Sequence, residues 1–477
     1  MQTEFSSYLT GIAPGLKRLI ALLGDDFDYA SALATDSKGF AMRVGQRNMS
    51  VANETMTTER GIVLRLYKDG LYTEYALNRF DPEKPEEAAF AAKKAREEQA
   101  ALLAAAGVDI YETGILPDEP KELFAAFETE ETPEGTDQEA LLTYLKKVSD
   151  EGMQLSENLV DVRLIAQSTH ISKLFLTKNR DLRQTYVYSE AAVFPIAQKD
   201  GKMVSAYGSV SGRVGPELFA KLSGKVADAV KNVEELLAAE RIEPGEYDII
   251  ASPEVAGLIA HEAFGHGVEM DMFVKGRALG ADYIGKRVGS DLVTMHEGAL
   301  CATDVTTYAF DDEGTLAGDV IEIENGILRT GICDALSALR LGIAPTGNGK
   351  RENFEHKVYT RMTNTIFDSG ESTLEEMIAS IDFGYLLVGM QSGMEDPKHW
   401  GIQCIIDRGF EIRDGKLTGK IVAPVVMTGY VPELLGSISM VSRDRQVFGS
   451  GGCGKGYKEW VKVADGGPYL KAKARLG

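Results

Sequence analysis

The chain has 477 residues, a length that predicts two or three domains because a single core rarely grows beyond about 250–300 residues. Hydrophobic residues make up 44% and charged residues 26%, which is the balance of an ordinary globular protein. The 51 basic and 72 acidic residues give a formal net charge of −21, and such a chain repels phosphate backbones and anionic lipids. We therefore expect no nucleic-acid partner and no membrane partner.

The cellular environment can be predicted from three features of the sequence. No apolar run approaches the roughly 18–20 residues of a membrane-spanning helix. The first residues, Met1 to Phe5, include no basic stretch followed by an apolar one, so we expect no secretory signal. The 4 cysteines show no framework of even, close spacings that would predict disulfide bonds. We therefore expect a cytoplasmic protein.

The first part of the chain is predicted to form short strands and turns followed by a helix. Residues 40–51 and 61–77 alternate and contain many β-formers, and Lys68-Asp69-Gly70 predicts a turn within the second stretch. A helix rich in Ala, Glu, Lys and Leu is predicted over about residues 86–106, and Gly107 is predicted to end it.

Helices and strands alternate over the next hundred residues. An acidic loop at 128–137 is followed by a predicted helix over about 138–152, where apolar residues recur at helical spacing. Short strands are predicted at 174–177 and 185–188, on either side of a polar turn. A long amphipathic helix is predicted over about residues 216–239.

Residues 241–245 are typical of a linker, and we place the main domain boundary there. The prediction is an N-terminal α+β domain over 1–242, with β-hairpins, long helices and a sub-boundary near 108–137. A β-rich C-terminal domain over 243–477 is predicted to carry a metal site. Asn-Gly and Asp-Gly pairs predict hairpin turns in this second half, most clearly at Asn325-Gly326. The fold class is α+β.

Two of the six histidines lie in the stretch H-E-A-F-G-H-G that begins at His261, in a segment whose helix is predicted to start at Ser-Pro-Glu, residues 252–254. This H-E-x-x-x-H pattern is one residue longer than the H-E-x-x-H of zinc peptidases. Since each residue of an α-helix turns by about 100°, His266 would lie about 140° away from His261. The two imidazoles could share a metal if the helix widens to a π-like turn or ends between them, and we expect Gly265 and Gly267 to permit such a distortion.

The residue types in this stretch suit metal-assisted hydrolysis. Neutral imidazole binds Zn²⁺ well, and a catalytic zinc site has three protein ligands plus a water. Bound zinc lowers the pKa of that water to about 7. Glu262 could accept the proton of the water and pass it to a leaving amine. The pattern therefore predicts a metal site with a general base.

The third ligand stays open on spacing alone. Glu269 and Asp271 lie just downstream of the second histidine. Cys453 lies in a run of glycines, where a thiolate is expected to be exposed and free to approach a metal, with Lys455 favouring its ionised form. Cys453 and Glu269 are equal candidates. The remaining cysteines are predicted to be core residues: Cys301, Cys333 and Cys404.

Several segments together resemble the TldD/PmbA family of metallopeptidases. Residues 261–271, H-E-A-F-G-H-G-V-E-M-D, resemble the family's metal motif, and residues 344–352 resemble its P-T-G-N-G-R-R-E segment. Residues 361–365 match its R-M-T-N-T strand, residues 453–455 match its C-terminal C-G-K, and residues 58–61 fit its early pattern. The resemblance extends over nearly the whole chain.

The resemblance implies a zinc-dependent peptidase that acts on short or unfolded peptides. It implies His261, His266 and Cys453 as ligands of one zinc per chain, with Glu262 as the base. It implies the catalytic TldD type, because PmbA-type (TldE) subunits lack the metal motif and this chain has it. It also implies a homodimer or a heterodimer with a PmbA/TldE-type paralogue, and peptides bound as an added strand. Endopeptidase and aminopeptidase activity both stay open.

Two segments depart from the family pattern, and both are expected to lie where substrate could be contacted. Gly456-Tyr457-Lys458 stands in place of the usual E-G-Q, and residues 390–397 replace a glycine-rich stretch. These departures leave a second class of function open, a non-catalytic partner subunit that binds peptides without cutting them. A metal hydrolase that acts on amides other than peptides is a third hypothesis.

Three further residues are predicted to contact substrate: Asn348, His356 and Arg361. His356 and Arg361 could stabilise the tetrahedral oxyanion. Hydrogen bonds that only stabilise loops are an equal alternative for both. The other histidines, His170, His296 and His399, are expected to be ordinary surface or core residues.

Overall fold

Two large β-sheets organise the molecule. The computed structural model describes residues 1–52, 58–107, 112–456 and 459–477. Within these residues, the first sheet has nine strands and the second has eleven. Helices pack against both, so the predicted α+β fold with a β-rich C-terminal half is confirmed.

The first sheet is antiparallel apart from one edge pairing, and its main path is β4-β3-β1-β6-β7-β5, with β5 parallel to β7. Its strands are β1 (Tyr29–Val44), β2 (Met49–Ala52), β3 (Arg60–Lys68), β4 (Leu71–Leu77), β5 (Lys121–Ala126), β6 (Leu159–Leu176), β7 (Arg180–Lys199), β8 (Lys202–Ser205) and β9 (Gly208–Gly212). β6 and β7 form a hairpin much longer than the short strands predicted there, because the two strands pair along nearly their whole length.

The second sheet curls so that five of its strands form a closed circuit. Its strands are β10 (Gly245–Ala251), β11 (Met295–Glu297), β12 (Val320–Glu324), β13 (Ile327–Leu328), β16 (Asn364–Phe367), β17 (Phe383–Asp396), β18 (Gly401–Arg413), β19 (Lys416–Val422), β20 (Val425–Tyr430), β21 (Met440–Lys455) and β22 (Glu459–Leu476). The strands β14 (Gly349–Lys350) and β15 (Tyr359–Thr360) form a separate pair. β10 pairs with both β17 and β22, which closes the circuit β10-β17-β18-β20-β22. The largest hydrophobic cluster of this half includes residues from each of these strands, such as Ile249, Leu387 and Cys404.

Nine α-helices lie in the described residues: α1 (Ser7–Gly24), α2 (Pro85–Ala106), α3 (Gln138–Met153), α4 (Ser223–Ala238), α5 (Pro253–Leu258), α6 (Met270–Val274), α7 (Ala335–Leu341), α8 (Leu374–Ala379) and α9 (Val431–Gly436). The predictions of α2, its end at Gly107 and α3 are confirmed, and Gly107 has the left-handed conformation. The helix predicted at 216–239 is a 3₁₀ segment over Pro216–Leu222 followed by α4. None of the helices in this described part is long and apolar enough to cross a membrane.

The hairpin predictions from glycine pairs are confirmed. At Asp69-Gly70, Asn325-Gly326 and Asp414-Gly415 both residues have positive φ, between 48° and 78°. This is the conformation of a type I′ turn, whose twist matches that of the flanking strands.

The prediction of strands and turns for the first residues is wrong over Ser7–Gly24, which form the 18-residue helix α1. Gly11, Pro14 and Gly15 weaken the local helical signal. Burial of an apolar stripe at helical spacing outweighs them, and that stripe is Leu9, Ile12, Ala13, Leu16, Leu19, Ile20 and Leu23. Gly15 is also required for packing, because a Cβ there would lie 2.5 Å from the Cα of Pro82.

The predicted boundary at 242–243 falls between the last strand of the first sheet, β9, and the first strand of the second, β10. We propose it as the boundary between two domains, 1–242 and 243–477. Part of the sub-boundary predicted near 108–137, residues 108–111, lies outside the described residues.

Close packing of α5 on β22 places the segment that carries the two histidines. A Cβ on Gly257 would lie 2.6 Å from the backbone nitrogen of Gly466 and 2.4 Å from Oδ1 of Asp465. The helix backbone therefore lies directly on the strand, and no flexible side chain separates them.

We expect Gly257→Ala to lower the free energy of unfolding by about 1–3 kcal/mol, because the added methyl group meets backbone atoms that cannot move aside. Gly224→Ala is the matched control, since nothing lies within 4 Å of a Cβ at that position of α4. The control should leave stability unchanged or raise it by up to about 1 kcal/mol. Urea unfolding of both variants measures this, and equal stabilities would contradict the packing argument.

Candidate metal centre

The helix that begins at Pro253 widens where the two histidines lie. α5 continues into a π-helix over Ile259–Gly265 and then into a 3₁₀ turn over His266–Val268. The backbone N–H of His266 donates to the carbonyl of His261, five residues earlier, which is the hydrogen bond of a π-turn. The imidazole centroids are 5.2 Å apart. The predicted widening is confirmed.

The helix start is also as predicted, although its expected cap is not formed. Ser252 occupies the N-cap position with Pro253 at the first turn. The hydroxyl of Ser252 makes no capping hydrogen bond and has no partner among the described residues. The backbone carbonyl of Ser252 accepts from Ala256 at 2.7 Å instead.

Gly265 and Gly267 are needed for space, which corrects the expectation that they supply conformational freedom. Gly265 has an ordinary helical φ of −54°. A Cβ on it would lie 2.3 Å from Sδ of Met362, and a Cβ on Gly267 would lie 2.5 Å from Oε1 of Glu395. The close approach of the Met362 and Glu395 side chains therefore leaves room only for glycine at these two positions.

Cys453, near the end of β21, lies beside the two histidines. Its Sγ is 3.2 Å from Nε2 of His266. One ligand atom from each of His261, His266 and Cys453 lies within 4.8 Å of the others, and no other group of this kind is found in the described ranges. The residue is buried, contrary to the expected exposed position, because it packs in a hydrophobic cluster with Val461 and Val463 of β22.

The histidines control the ionisation of this thiol. Burial would raise the pKa of Cys453, but the imidazoles of His266 and His261 outweigh burial and lower that pKa to about 4. Burial alone would lower the pKa of both imidazoles. The Cys453 thiolate outweighs burial, so the pKa of each imidazole is raised. Lys455 is expected from the sequence to favour the ionised thiol. Its Nζ instead donates to Oδ1 of Asp271 at 2.8 Å.

Glu269 supports His266 from the side away from the thiol. Its Oε2 lies 3.1 Å from Nδ1 of His266 and 3.0 Å from Nζ of Lys455. Burial would raise the pKa of Glu269, but Lys455 and His266 lower it to about 2. A carboxylate on the outer nitrogen of a metal-binding imidazole fixes the tautomer and orients the ring. Asp271 is held by Lys455 and Lys275 and joins neither histidine.

Glu262 faces the same centre. Its Oε2 lies 3.9 Å from Nε2 of His266, and its side chain is 17% exposed. Gly393 of β17 leaves room for it, because a Cβ there would lie 2.5 Å from Cγ of Glu262. The carboxylate is thus close to the converging ligand atoms and open to the cleft.

A cleft of about 920 Å³ contains these groups. One wall is the segment 390–395 of β17, and the other is the glycine-rich segment 451–456 with Trp460. The departure from the family pattern at residues 390–397 therefore borders the cleft. In the departure at residues 456–458, Gly456 borders the cleft, while Tyr457 and Lys458 lie outside the described residues.

None of the three residues predicted to contact substrate lines this cleft. The guanidinium of Arg361 is buried and donates to the carbonyl of Cys453 at 2.6 Å. Asn348 is buried and donates to Glu297 and to the carbonyl of Arg361, both at 3.1 Å. His356 is half-buried, 3.5 Å from Glu459. The contacts of Arg361 are those of the alternative interpretation, in which its hydrogen bonds stabilise loops.

Sequence reasoning missed two buried carboxyl groups that border the cleft, Glu395 on β17 and Asp465 on β22. Both oxygens of Glu395 and Oδ1 of Asp465 have no hydrogen-bond partner among the described residues. Burial is the main cause that raises the pKa of Glu395 to about 9 and that of Asp465 to about 7. Neither belongs to a recognisable motif, although Glu395 lies in a segment that departs from the family pattern.

Several known proteins are similar to this chain. Residues 244–471 match the family model of the PmbA/TldA metallopeptidase C-terminal domain. The metalloprotease TldD homolog of Buchnera aphidicola subsp. Acyrthosiphon pisum is 34% identical over 239 residues, which are 49% of this chain and 48% of that protein. The zinc metalloprotease TldD homolog of Saccharolobus solfataricus is 31% identical over 251 residues, 52% and 55% of the two chains. The chain thus spans about half the length of the curated relatives it matches.

A solved structure extends the similarity in fold to the rest of the chain. TldE from Thermococcus kodakarensis superposes with a TM-score of 0.77 and covers 97% of this chain and 100% of its own. At 20% identity, this similarity shows the shared fold. Residues 244–471 thus belong to the TldD/PmbA family of metallopeptidases, and the chain as a whole shares the fold of TldE.

Proposed function

We propose that this chain is a zinc-dependent peptidase of the catalytic TldD type that hydrolyses short or unfolded peptides. His261, His266 and Cys453 would hold one zinc ion per chain, and Glu262 would serve as the general base. The observation that carries the proposal is the convergence of two imidazoles and one thiolate within 4.8 Å at the wall of a cleft. Membership of the metallopeptidase family supports it.

The residues fit a zinc ion in spacing and in chemistry. Zinc bonds of 2.0–2.3 Å in a tetrahedral arrangement separate neighbouring ligand atoms by about 3.5 Å. The distance of 3.2 Å between Sγ of Cys453 and Nε2 of His266 is close to that value. The lowered thiol pKa keeps the sulfur in the ionised form that binds metals. When bound, zinc would supply a Lewis acid and a water of lowered pKa.

The protein's own groups have separate parts in the proposed hydrolysis. Glu262 accepts a proton from the attacking water and returns it to the leaving amine. Glu269 keeps the outer nitrogen of His266 protonated, so that Nε2 is available as a ligand. Arg361 holds the backbone of Cys453 in place through its hydrogen bond to that carbonyl, which makes it a positioning residue.

We propose that the chain works in the cytoplasm as a dimer, either with itself or with a PmbA/TldE-type paralogue. The shared fold with TldE supports a common subunit architecture. The rival function, a partner subunit that binds peptides without cutting them, predicts little bound metal. Elemental analysis of the purified protein separates the two, because about one zinc per chain is expected only for the enzyme.

We expect Glu262→Gln to retain zinc and to lower peptide hydrolysis by about 10²–10⁴-fold, because the amide cannot accept the proton of water. Zinc content and the kcat for a mixed peptide pool are measured on the same preparation. Turnover equal to that of the wild type would rule out Glu262 as the base.

Cys453→Ser should lower the zinc content strongly, because a neutral hydroxyl replaces a thiolate ligand. Cys301→Ser is the matched control. Its half-buried thiol donates to the carbonyl of Asn364 and does not belong to the three-residue group. Glu269→Gln should weaken zinc affinity by about 10–100-fold, as loss of a supporting carboxylate does. Loss of zinc in Glu269→Gln with full retention in Cys453→Ser would contradict the proposed ligand set.

In the metal-free protein, the Cys453 thiol should be ionised above a pKa of about 4, as the flanking imidazoles dictate. The thiolate absorbance near 240 nm should therefore persist from neutral pH down to about pH 5 and disappear below about pH 4. The difference spectrum between wild type and Cys453→Ser isolates this signal. A thiolate that appears only above pH 8 would show that the imidazoles do not act on the sulfur.

A further inference from the structure

Glu395 lies on the strand that borders the candidate metal centre. On β17, Gly393 and Glu395 are two residues apart and therefore share one face. That face lies against the π-turn and the 3₁₀ turn that follows it. A Cβ on Gly393 would lie 2.5 Å from Cγ of Glu262 in the π-turn, and a Cβ on Gly267 in the 3₁₀ turn would lie 2.5 Å from Oε1 of Glu395. The carboxyl group of Glu395 thus abuts the residue that directly follows His266.

This carboxyl group is buried without a partner. Neither oxygen has a hydrogen-bond partner in the described part of the chain. The indole nitrogen of Trp400 lies 2.6 Å from the same Cβ position on Gly267, but it too is unpartnered and does not bond to Glu395. A buried polar group normally pairs with protein, water or ligand, since an unsatisfied group is costly. A donor from outside the chain would satisfy this carboxyl group.

The surrounding charges favour a cationic donor. Burial is the main cause that raises the pKa of Glu395, and the carboxylates of Glu269 and Glu262 raise it further, against His266. A positively charged group placed there would be attracted by these acids and would ionise Glu395. Two lysines, Lys275 and Lys455, border the cleft near Asp271. Both are already paired with Asp271.

We propose that Glu395 binds the α-ammonium group at the N-terminus of the substrate peptide, an inference that rests on the proposed peptidase function. The α-ammonium nitrogen lies only about 2.5 Å from the carbonyl carbon of its own residue. A side-chain ammonium extends much farther from its backbone. An anchor next to the residue after His266 therefore suits the first residue of a peptide, and the cleft favours removal of N-terminal residues.

The test compares the binding of tetraalanine and N-acetyl-tetraalanine by isothermal calorimetry. The full-length protein carries Glu262→Gln so that the peptides are not cut. We expect tetraalanine to bind about tenfold more tightly, as a charge-assisted hydrogen bond provides. Adding Glu395→Gln should reduce this preference to less than twofold. Equal binding of the two peptides when Glu395 is present would overturn the proposal without any Glu395 variant.

Glu433→Gln is the matched control, since Glu433 borders the groove next to the cleft that Glu395 also lines. It should keep the tenfold preference, and its loss there would overturn the assignment to Glu395. N-acetyl-Ala-Lys-Ala-Ala tests the other source of an ammonium group. Binding as tight as that of tetraalanine would assign Glu395 to a side chain and overturn the N-terminal assignment. Hydrolysis of the acetylated peptide as fast as the free one by the zinc-loaded wild type would refute the anchor and leave the peptidase function standing.

Discussion

One backbone hydrogen bond determines the geometry of the candidate site. The N–H of His266 donates to the carbonyl of His261 across five residues, and the widened turn brings both imidazoles to one side of the helix. An α-helix would point them about 140° apart. Everything else at the centre, including the approach of Cys453, depends on this turn. Gly265, which leaves room for Met362 against the turn, is therefore part of the site although it has no side chain.

A chain of charged contacts extends from that turn into the protein. The Cys453 thiolate faces His266, His266 faces Glu269, and Glu269 faces Lys455. Each member alone would be costly to bury, and each is compensated by its neighbour. The arrangement holds negative charge on the sulfur and orients the imidazole, which are the two requirements of a metal ligand set. It also explains why an acid near the second histidine need not bind the metal itself.

Other carboxyl groups that border the cleft lack such compensation. Both oxygens of Glu395 and Oδ1 of Asp465 are buried without a hydrogen-bond partner among the described residues. Glu269 and Asp271 are both paired with Lys455, although Oε1 of Glu269 also has no hydrogen-bond partner there. Unpartnered carboxyl oxygens thus border the cleft beside the candidate metal centre.

Local patterns in the sequence determined the elements whose causes are local. The type I′ turns at Asn325-Gly326 and Asp414-Gly415, the end of α2 at Gly107 and the spacing of His261 and His266 all follow from residues close together in the chain. Helix α1 was missed because Pro14 and its glycines weaken the local signal, and only burial against the first sheet decides it. The tertiary structure alone decided the burial of Cys453, the internal contacts of Arg361 and Asn348, and the place of Glu395. These depend on strands that are distant in sequence and meet only when the second sheet closes, and no local pattern encodes such a meeting.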